Sequence, residues 1–209
     1  MHVPAEFSIK DTTTALDFIR QYSFGALICN GEAVPEVSHL PFLVKEEEDA
    51  LYLHTHFARA NPQLKKIEEV KQVLVVFSGP HSYISPTWYV NKINVPTWNY
   101  SVVHVNGTAE TIHGTEAKKQ LLLSTLSCYE PSFIQDYEKL PDQFKNAMFT
   151  ELVGIKIKVN SIQTNFKLSQ NKSREDIRSV IERLQTSTDT NDVALAGLML
   201  KFNDKKLKP

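Results

Sequence analysis

The chain has 209 residues, of which 42% are hydrophobic and 22% are charged, and its formal net charge at pH 7 is -1. A chain of this length can bury enough surface to fold without disulfides or structural metals, and its composition is that of an ordinary globular protein. A net charge this small gives no overall field that would attract nucleic acid or an acidic membrane surface. No apolar run approaches the roughly 18 residues that a membrane span requires.

The two cysteines, Cys29 and Cys128, form no Cys-x-x-Cys pair. Cys29 stands in an apolar run, where cysteine behaves as a small core hydrophobe, and this usage is typical of a reducing compartment. The N-terminus has neither the basic segment nor the apolar segment of a signal peptide. We therefore expect a cytoplasmic protein that does not span a membrane.

The first predicted elements are a helix and a β-hairpin. A helix that Asp11 can cap is followed by a strand over 24–29, which ends at an Asn-Gly dipeptide favoured in tight turns. The partner strand over 35–44 contains Pro41, which implies a sheet edge or a bulge. The acidic run over 46–49 is predicted to be a solvated turn without a function.

The next strand, over 51–56, alternates between two faces and places His54 and His56 on the same one. Two histidines at this spacing can bind a metal, but no cysteine or carboxylate accompanies them at a recognisable spacing, so no metal site is predicted. Asn61-Pro62 then begins a helix, because Asn suits the N-cap and Pro suits the first helical position.

The later elements complete an α+β pattern. The predicted strands cover 72–77, 81–85, 96–104, 107–111 and 152–159, and the predicted helices cover 115–128, 141–149, 173–184 and 193–202. Tight turns rather than regular crossover helices join most strands, which indicates an antiparallel sheet closed into a barrel or packed as a sandwich. The glycine-rich fingerprints of Rossmann and P-loop proteins are missing from the sequence.

The segment 54–62 is the first candidate for chemistry, because a strand delivers polar side chains to its end and a helix begins there. The N–H groups and dipole of a helix N-terminus favour an anion, and Arg59 adds a planar fork suited to phosphate. The segment can therefore be a phosphate cradle made without a glycine loop. A well-capped surface helix with one arginine beside it would give the same pattern.

Aromatic and hydroxyl side chains are concentrated over 82–100, which contains both tryptophans, Trp88 and Trp98. Such a stretch can enclose a planar ring that has apolar faces and polar edges, or it can be a barrel core whose aromatic tips reach water. Lys92 is its single basic residue, whereas a surface for single-stranded nucleic acid needs interleaved Lys and Arg.

A third segment, over 165–171, places hydrogen-bonding side chains around Leu168 ahead of a helix. It can be a polar clamp on a ligand edge, with Lys167 placed for an anion or an electron-rich ring atom, or it can be a simple loop. Nucleophilic catalysis is not indicated, because the nucleophile-elbow motif is missing and Ser85 has no evident base beside it in the sequence.

Five blocks of the sequence resemble, in order, the signature blocks of PaiB-type proteins, which are FMN-binding negative transcriptional regulators. The blocks are HLPF at 39–42, HFARANPQ at 56–63, YISPTWY at 83–89, VPTWNY at 95–100 and KLSQN at 167–171. They cover most of the chain up to about Asn171. Phe166 stands where the family usually has Trp.

The resemblance implies a mainly antiparallel split β-barrel of the pyridoxamine-phosphate-oxidase-like FMN-binding type, with peripheral and C-terminal helices. It implies an FMN-binding domain over 1–171 and a helical extension over 172–209 packed on that domain. It also implies a homodimer with FMN at the subunit interface.

The resemblance further implies which residues bind FMN. These are His39, His56, Arg59, Ala60, Asn61, Tyr83, Ser85, Trp88, Trp98, Lys167, Ser169 and Gln170. The group from residue 56 to residue 61 would hold the phosphate, the aromatic group would lie at the ring or the dimer seam, and the last three would approach the ring from the C-terminal side. No catalytic residue and no metal ligand is predicted.

The function that the family implies is repression of protease production and sporulation genes. Such a regulator would act on DNA or through another regulatory protein, although the sequence contains no recognisable helix-turn-helix. One alternative is a flavin-dependent oxidoreductase acting on a small molecule, in which the flavin supplies the hydride chemistry. Another is a split-barrel interaction module with an empty flavin site. A regulator that is not an enzyme is the preferred interpretation.

Overall fold

The computed structural model describes residues 1–47 and 50–208, so the last two residues of the acidic run over 46–49 lie outside the described residues. The helices are α1 (Thr12–Gln21), α2 (Gln63–Val70), α3 (Thr115–Tyr129), α4 (Ile134–Lys139), α5 (Asp142–Glu151), α6 (Arg174–Gln185) and α7 (Thr190–Leu207). The strands are β1 (Phe24–Cys29), β2 (Glu36–Pro41), β3 (Leu43–Glu47), β4 (Ala50–Ala58), β5 (Gln72–Ile84), β6 (Thr97–Ile112) and β7 (Leu152–Lys167). Short 3₁₀ helices cover Ala5–Phe7, Pro86–Trp88 and Pro131–Phe133.

The strands form a seven-stranded sheet in the order β2-β1-β5-β6-β7-β4-β3. The β1–β2, β1–β5, β3–β4 and β4–β7 pairs are antiparallel. Pro41 is the last residue of β2, at one end of the strand order, where a missing N–H disturbs the sheet least. The predicted antiparallel α+β architecture is confirmed.

The chain divides into two compact units. The first unit comprises residues 1–18, 78–103 and 163–209, and the second comprises 19–77 and 104–162. Strands β5, β6 and β7 each contribute residues to both. Helices α6 and α7 belong to the first unit, and the predicted boundary at residue 171 stays a prediction.

The two faces of β4 differ in burial, as its sequence predicts. Leu53, Thr55 and Phe57 are buried, whereas the alternate residues, including His54 and His56, are only partly covered. Because successive strand residues point to opposite faces, the second unit keeps its apolar core on one side of β4 and polar side chains on the other.

The core of the first unit is built from helices α6 and α7 together with aromatic rings. Helix α6 buries Ile177 and Leu184 completely. The Phe166 ring, also completely buried, lies 4.8 Å from the Phe18 ring and 5.1 Å from the Phe202 ring between centroids. The aromatic residue at position 166 therefore belongs to the core of this unit.

Strand β5 is one strand, where the sequence predicts two strands separated at Gly79-Pro80. A side chain at Gly79 would place its Cβ 2.5 Å from Ser101 Oγ and 2.7 Å from the Phe18 ring. Glycine is present at this position because the strand passes close to its neighbours, and it does not mark a strand end. The prediction of a break was wrong for this reason.

Other element boundaries also differ from the sequence prediction. Strand β6 runs unbroken through the predicted gap at 105–106, and β7 extends to Lys167 instead of ending at 159. Helix α4, which the sequence analysis did not predict, has only six residues and therefore carries little periodic signal. Pairing with neighbouring strands overrides local turn signals in β6 and β7.

Candidate functional site

The predicted phosphate cradle lies where β4 leads into α2, in the second unit. Asn61 Oδ1 accepts a hydrogen bond from the backbone N–H of Gln63 at 2.9 Å, and Asn61 Nδ2 donates to Ser38 Oγ at 3.0 Å. Helix α2 begins at Gln63, one residue later than predicted, but the side chain of Asn61 still satisfies an N–H of the first turn. The side-chain amide of Asn61 therefore connects the start of α2 to β2.

Arg59 is fixed through only part of its hydrogen-bonding capacity. Its backbone N–H donates to Glu151 O at 2.7 Å, and its Nε donates to Thr150 O at 2.6 Å. Within the described residues, the two terminal guanidinium nitrogens make no hydrogen bond or ion pair. An arginine anchored in this way keeps the paired donors that suit a phosphate.

A cavity of about 600 Å³ opens beside the cradle. Its lining includes Arg59, Ala60 and Asn61, and it also brings in Lys65 from α2 and Lys118 from α3. One carboxylate, Glu68, is present among these cations. The positive end of α2 adds to the same potential, so the donor set fits the phosphate group of a nucleotide-like cofactor.

The two predicted histidines of the second unit lie outside the lining of this cavity. His56 pairs with Gly154 across β4 and β7, and burial lowers the pKa of its ring, which is therefore neutral at pH 7. His39 lies on β2 with its ring stacked at 6.4 Å from that of Phe24. Both positions as FMN-binding residues remain predictions.

In the first unit, hydrogen bonds fix the segment that carries Trp88. Ser85 Oγ accepts a hydrogen bond from the Thr87 N–H at 3.2 Å and caps the 3₁₀ helix. The Trp88 carbonyl accepts a hydrogen bond from Ser179 Oγ at 2.5 Å. Asp176, on α6, is buried, and its Oδ1 accepts the N–H groups that follow Tyr89, at 2.8 and 3.1 Å.

The second pair of predicted aromatic residues forms an exposed surface of the first unit. Tyr83 and Trp98 are 46% and 53% exposed, and their rings meet edge to face at 6.3 Å. The His81 ring lies 6.1 Å from that of Trp98. Large apolar side chains left open in this way are typical of surfaces that bind a ligand or a second chain.

The predicted clamp residues at the end of β7 make internal bonds. Lys167 Nζ donates to Thr97 Oγ1, and burial is the main cause that lowers the pKa of Lys167. Ser169 is 3% exposed and accepts a hydrogen bond from Asn99 Nδ2 at 2.8 Å. Gln170 Nε2 donates back to a main-chain carbonyl at 2.5 Å.

The structure thus brings Arg59, Ala60 and Asn61 to one cavity and places Tyr83 beside Trp98. Sequence reasoning missed the two lysines of the cavity lining. They stand in ordinary helical positions with no motif around them. Only the structure shows that both reach the cavity and that Lys118 Nζ donates to Phe149 O at 2.9 Å.

The described residues contain neither a helix that could span a membrane nor a group of side chains that could bind a metal. No helix there combines the length and apolarity needed to cross a membrane. Across the same residues, no three His, Cys, Asp or Glu side chains are grouped so that they could hold a metal ion.

Comparison with known proteins places this geometry in a family. Residues 1–161 match the family model described as "Putative FMN-binding domain". The chain is 36% identical over 201 residues to "Protease synthase and sporulation protein PAI 2" of Bacillus subtilis, and the match covers 95% of this chain and 96% of that protein.

Solved structures show the same fold at low sequence identity. The flavocytochrome Anf3 of Azotobacter vinelandii superposes with a TM-score of 0.62 at 14% identity, covering 79% of this chain and 72% of that one. An FAD and heme binding protein of Mycobacterium smegmatis also gives 0.62, at 12% identity, covering 83% of this chain and 80% of that one.

The chain shares with these two proteins the split-barrel fold that the sequence predicts. The chain belongs to the PaiB-type family of FMN-binding proteins. Membership of this family confirms FMN as the predicted cofactor.

Proposed function

We propose that this protein is an FMN-binding regulator of the PaiB type that represses genes for protease production and sporulation. The observation that carries the proposal is the relationship to the Bacillus subtilis protein, whose name refers to protease synthesis and sporulation. The match extends over nearly the whole of both chains, so the similarity is not limited to one shared module.

The cradle at the start of α2 would hold the FMN phosphate. The free guanidinium nitrogens of Arg59 would pair with the phosphate oxygens, and Lys65 and Lys118 would add positive charge from the lining. FMN, when bound, supplies redox chemistry, while the protein provides binding, orientation and electrostatics. The remaining predicted residues, including Trp88 and Trp98, would contact the ring or the dimer seam as the family resemblance implies.

Three further features belong to this proposal. The protein would act as a cytoplasmic homodimer, with FMN at the subunit interface. It would reach its target genes by binding DNA directly or through another regulatory protein. A net charge of -1 means that direct DNA contact would depend on a local basic surface and not on the charge of the whole chain.

The cofactor part is tested by the visible absorption spectrum of the purified protein, followed by acid release and identification of any chromophore. We expect FMN near one per chain, and Arg59→Ala should lower FMN affinity by about tenfold or more, because charge-assisted bonds to the phosphate are lost. Arg183→Ala, an exposed arginine of α6, is the matched control and should leave FMN binding unchanged. A colourless protein that takes up no added FMN would contradict this part.

The regulatory part is tested with promoter fragments of protease and sporulation genes at several salt concentrations. Binding that weakens steeply with salt would support direct repression. The second candidate function, a flavin-dependent oxidoreductase, is favoured by the redox capacity of FMN itself. Steady turnover of NAD(P)H by the FMN-loaded protein, with no promoter binding, would show that the protein is an oxidoreductase and not a repressor.

A further inference from the structure

A second cavity, of about 370 Å³, lies in the second unit between α3 and the strands β3, β4 and β7. Its lining shares only Ile112 with the lining of the cavity at the cradle. The other lining residues are Lys45, Glu47, His54, Ala117, Gln120, Leu121, Ser124 and Lys156. The volume falls within the range of about 300–1,000 Å³ that small-molecule sites occupy.

Strand register explains why charged side chains meet at this cavity. In the antiparallel ladders, His54 lies opposite Leu43 on one side and Lys156 on the other, and Lys45 lies opposite Tyr52. Directly opposed residues project to the same face of a sheet. The partly covered face of β4 therefore collects the imidazole of His54 and the ammonium groups of two lysines.

One of the two lysines is already held by the protein. Lys156 Nζ donates to Glu47 Oε2 at 2.5 Å and lies 3.9 Å from the centre of the Tyr52 ring. The Lys45 ammonium makes no hydrogen bond or ion pair with any described residue. The lining thus contains two lysines and one glutamate, and Lys45 is the lysine whose ammonium has no described partner.

His54 has an unused ring nitrogen in this cluster. Its Nε2 has almost no accessible surface and makes no hydrogen bond within the described residues. The nearest carboxylate oxygen, Glu47 Oε1, is 3.7 Å away, beyond hydrogen-bonding distance. Burial is the main cause that lowers the pKa of His54, so the ring is neutral at pH 7. A buried polar atom without a partner is unfavourable, which points to a partner from outside the chain.

Part of the cavity lining is apolar. Ile112, Ala117 and Leu121 contribute hydrocarbon surface. A side chain at Gly154 would place its Cβ 2.9 Å from the Leu121 side chain, so glycine lets α3 lie close against β7 and close the floor of the cavity. The lining therefore combines positively charged groups with apolar surface, which matches a molecule with one acidic group on a hydrocarbon body.

We propose that this cavity binds a small organic carboxylate. One carboxylate oxygen accepts the N–H of the neutral His54 ring at Nε2, and the ammonium of Lys45 balances the negative charge. The hydrocarbon part lies against Ile112 and Leu121. A phosphate dianion fits less well, because Glu47 already occupies one of the two lysines and three of the nine lining residues are apolar. The proposal does not depend on FMN.

Benzoate is the probe for this site, and benzyl alcohol is the matched neutral compound. At pH 7.5 we expect benzoate to shift the imidazole ¹H and ¹⁵N resonances of His54 saturably, whereas benzyl alcohol should bind far more weakly. Lys45→Met and His54→Phe should each weaken benzoate binding by about tenfold, since each removes one polar contact to the carboxylate. Lys158→Met, an exposed lysine on the same face of β7, should have no effect.

Several outcomes would overturn the proposal. Equal binding of benzoate and benzyl alcohol would show a non-specific apolar slot. No saturable shift of the wild-type protein at millimolar benzoate would show that the cavity does not take a carboxylate. Competition between FMN and benzoate would make the cavity part of the cofactor site. FMN content is measured in the same samples, so that loss of FMN in Arg59→Ala with benzoate binding retained separates this site from the cradle.

Discussion

The two compact units place their predicted site residues in opposite surroundings. In the second unit, Arg59 and Asn61 stand beside a cavity, and the guanidinium group keeps donors that no described residue uses. In the first unit, Ser169 and Gln170 are already engaged in hydrogen bonds of the fold itself. Sequence blocks of one family can thus resemble one another because they contact a ligand or because they support the chain around it.

The largest effect should follow from changing the core of the first unit. Phe166→Ala should lower the free energy of unfolding by about 4 kcal/mol, because a completely buried ring leaves a cavity between two other rings. Urea unfolding measures this loss. Phe144→Ala is the control, because its ring is 59% exposed and the change should stay within about 0.5 kcal/mol. Equal losses would show that position 166 is not part of the core.

A somewhat smaller effect is expected at Asp176. Asp176→Ala removes the acceptor for two backbone N–H groups and should cost about 1–2 kcal/mol of unfolding free energy, since two partly buried donors then lose their protein partner. Asp176→Asn keeps one carbonyl oxygen and should lose less. The same urea series compares the two variants. If both lost the same amount, the negative charge and not the accepted hydrogen bonds would stabilise this segment.

In the second unit we expect a change in cofactor binding with little change in stability. Lys118→Met should weaken FMN binding by about threefold, because it removes one partly exposed positive charge from the cradle cavity. Fluorescence titration with FMN measures the change. Lys119→Met, the exposed neighbour on α3, should leave the affinity as it is. An equal loss of FMN affinity in both variants would show that the general positive charge of the surface, and not the cavity lining, attracts FMN.

The smallest effect is expected in the pH dependence of stability. Burial lowers the pKa of both His54 and His56 in the folded protein. Below their unfolded pKa, near 6.5, the unfolded chain binds protons that the folded chain resists, so stability falls as pH drops from about 6.5 towards the folded pKa values. Urea midpoints at pH 7.5 and 5.5 measure this loss, which His56→Gln should reduce. His2→Gln, at an exposed position, should not change it.

Local signals predicted much of the fold. The bounds of β1, the alternation of β4 and the Ser173 cap of α6 all follow from side chains next to one another in sequence. The break at Gly79 was predicted wrongly because the sequence does not show that Phe18 and Ser101 come close to this glycine. From the sequence alone, a glycine in a turn cannot be distinguished from a glycine in a tightly packed strand.

The site follows the same division. Arg59 and Asn61 were found because the strand end and the helix start are adjacent in the chain. Lys118 was missed because tertiary structure brings α3 to the cavity. The burial of Ser169 was also missed, since its polar segment has the composition of an open loop, whereas its backbone takes a positive φ of 65° within the packed unit.

The hydrogen bonds that join Asp176 and Ser179 to the segment around Trp88 affect how these two parts of the chain can diverge among relatives. The family model ends at residue 161, so it includes the Trp88 segment but not the helix that holds it. Substitutions in the two regions should therefore be coupled, because loss of the carboxylate removes the protein acceptor of the same two amides. Exchanging the C-terminal helices between distant relatives should therefore fail unless the 86–91 segment is exchanged with them.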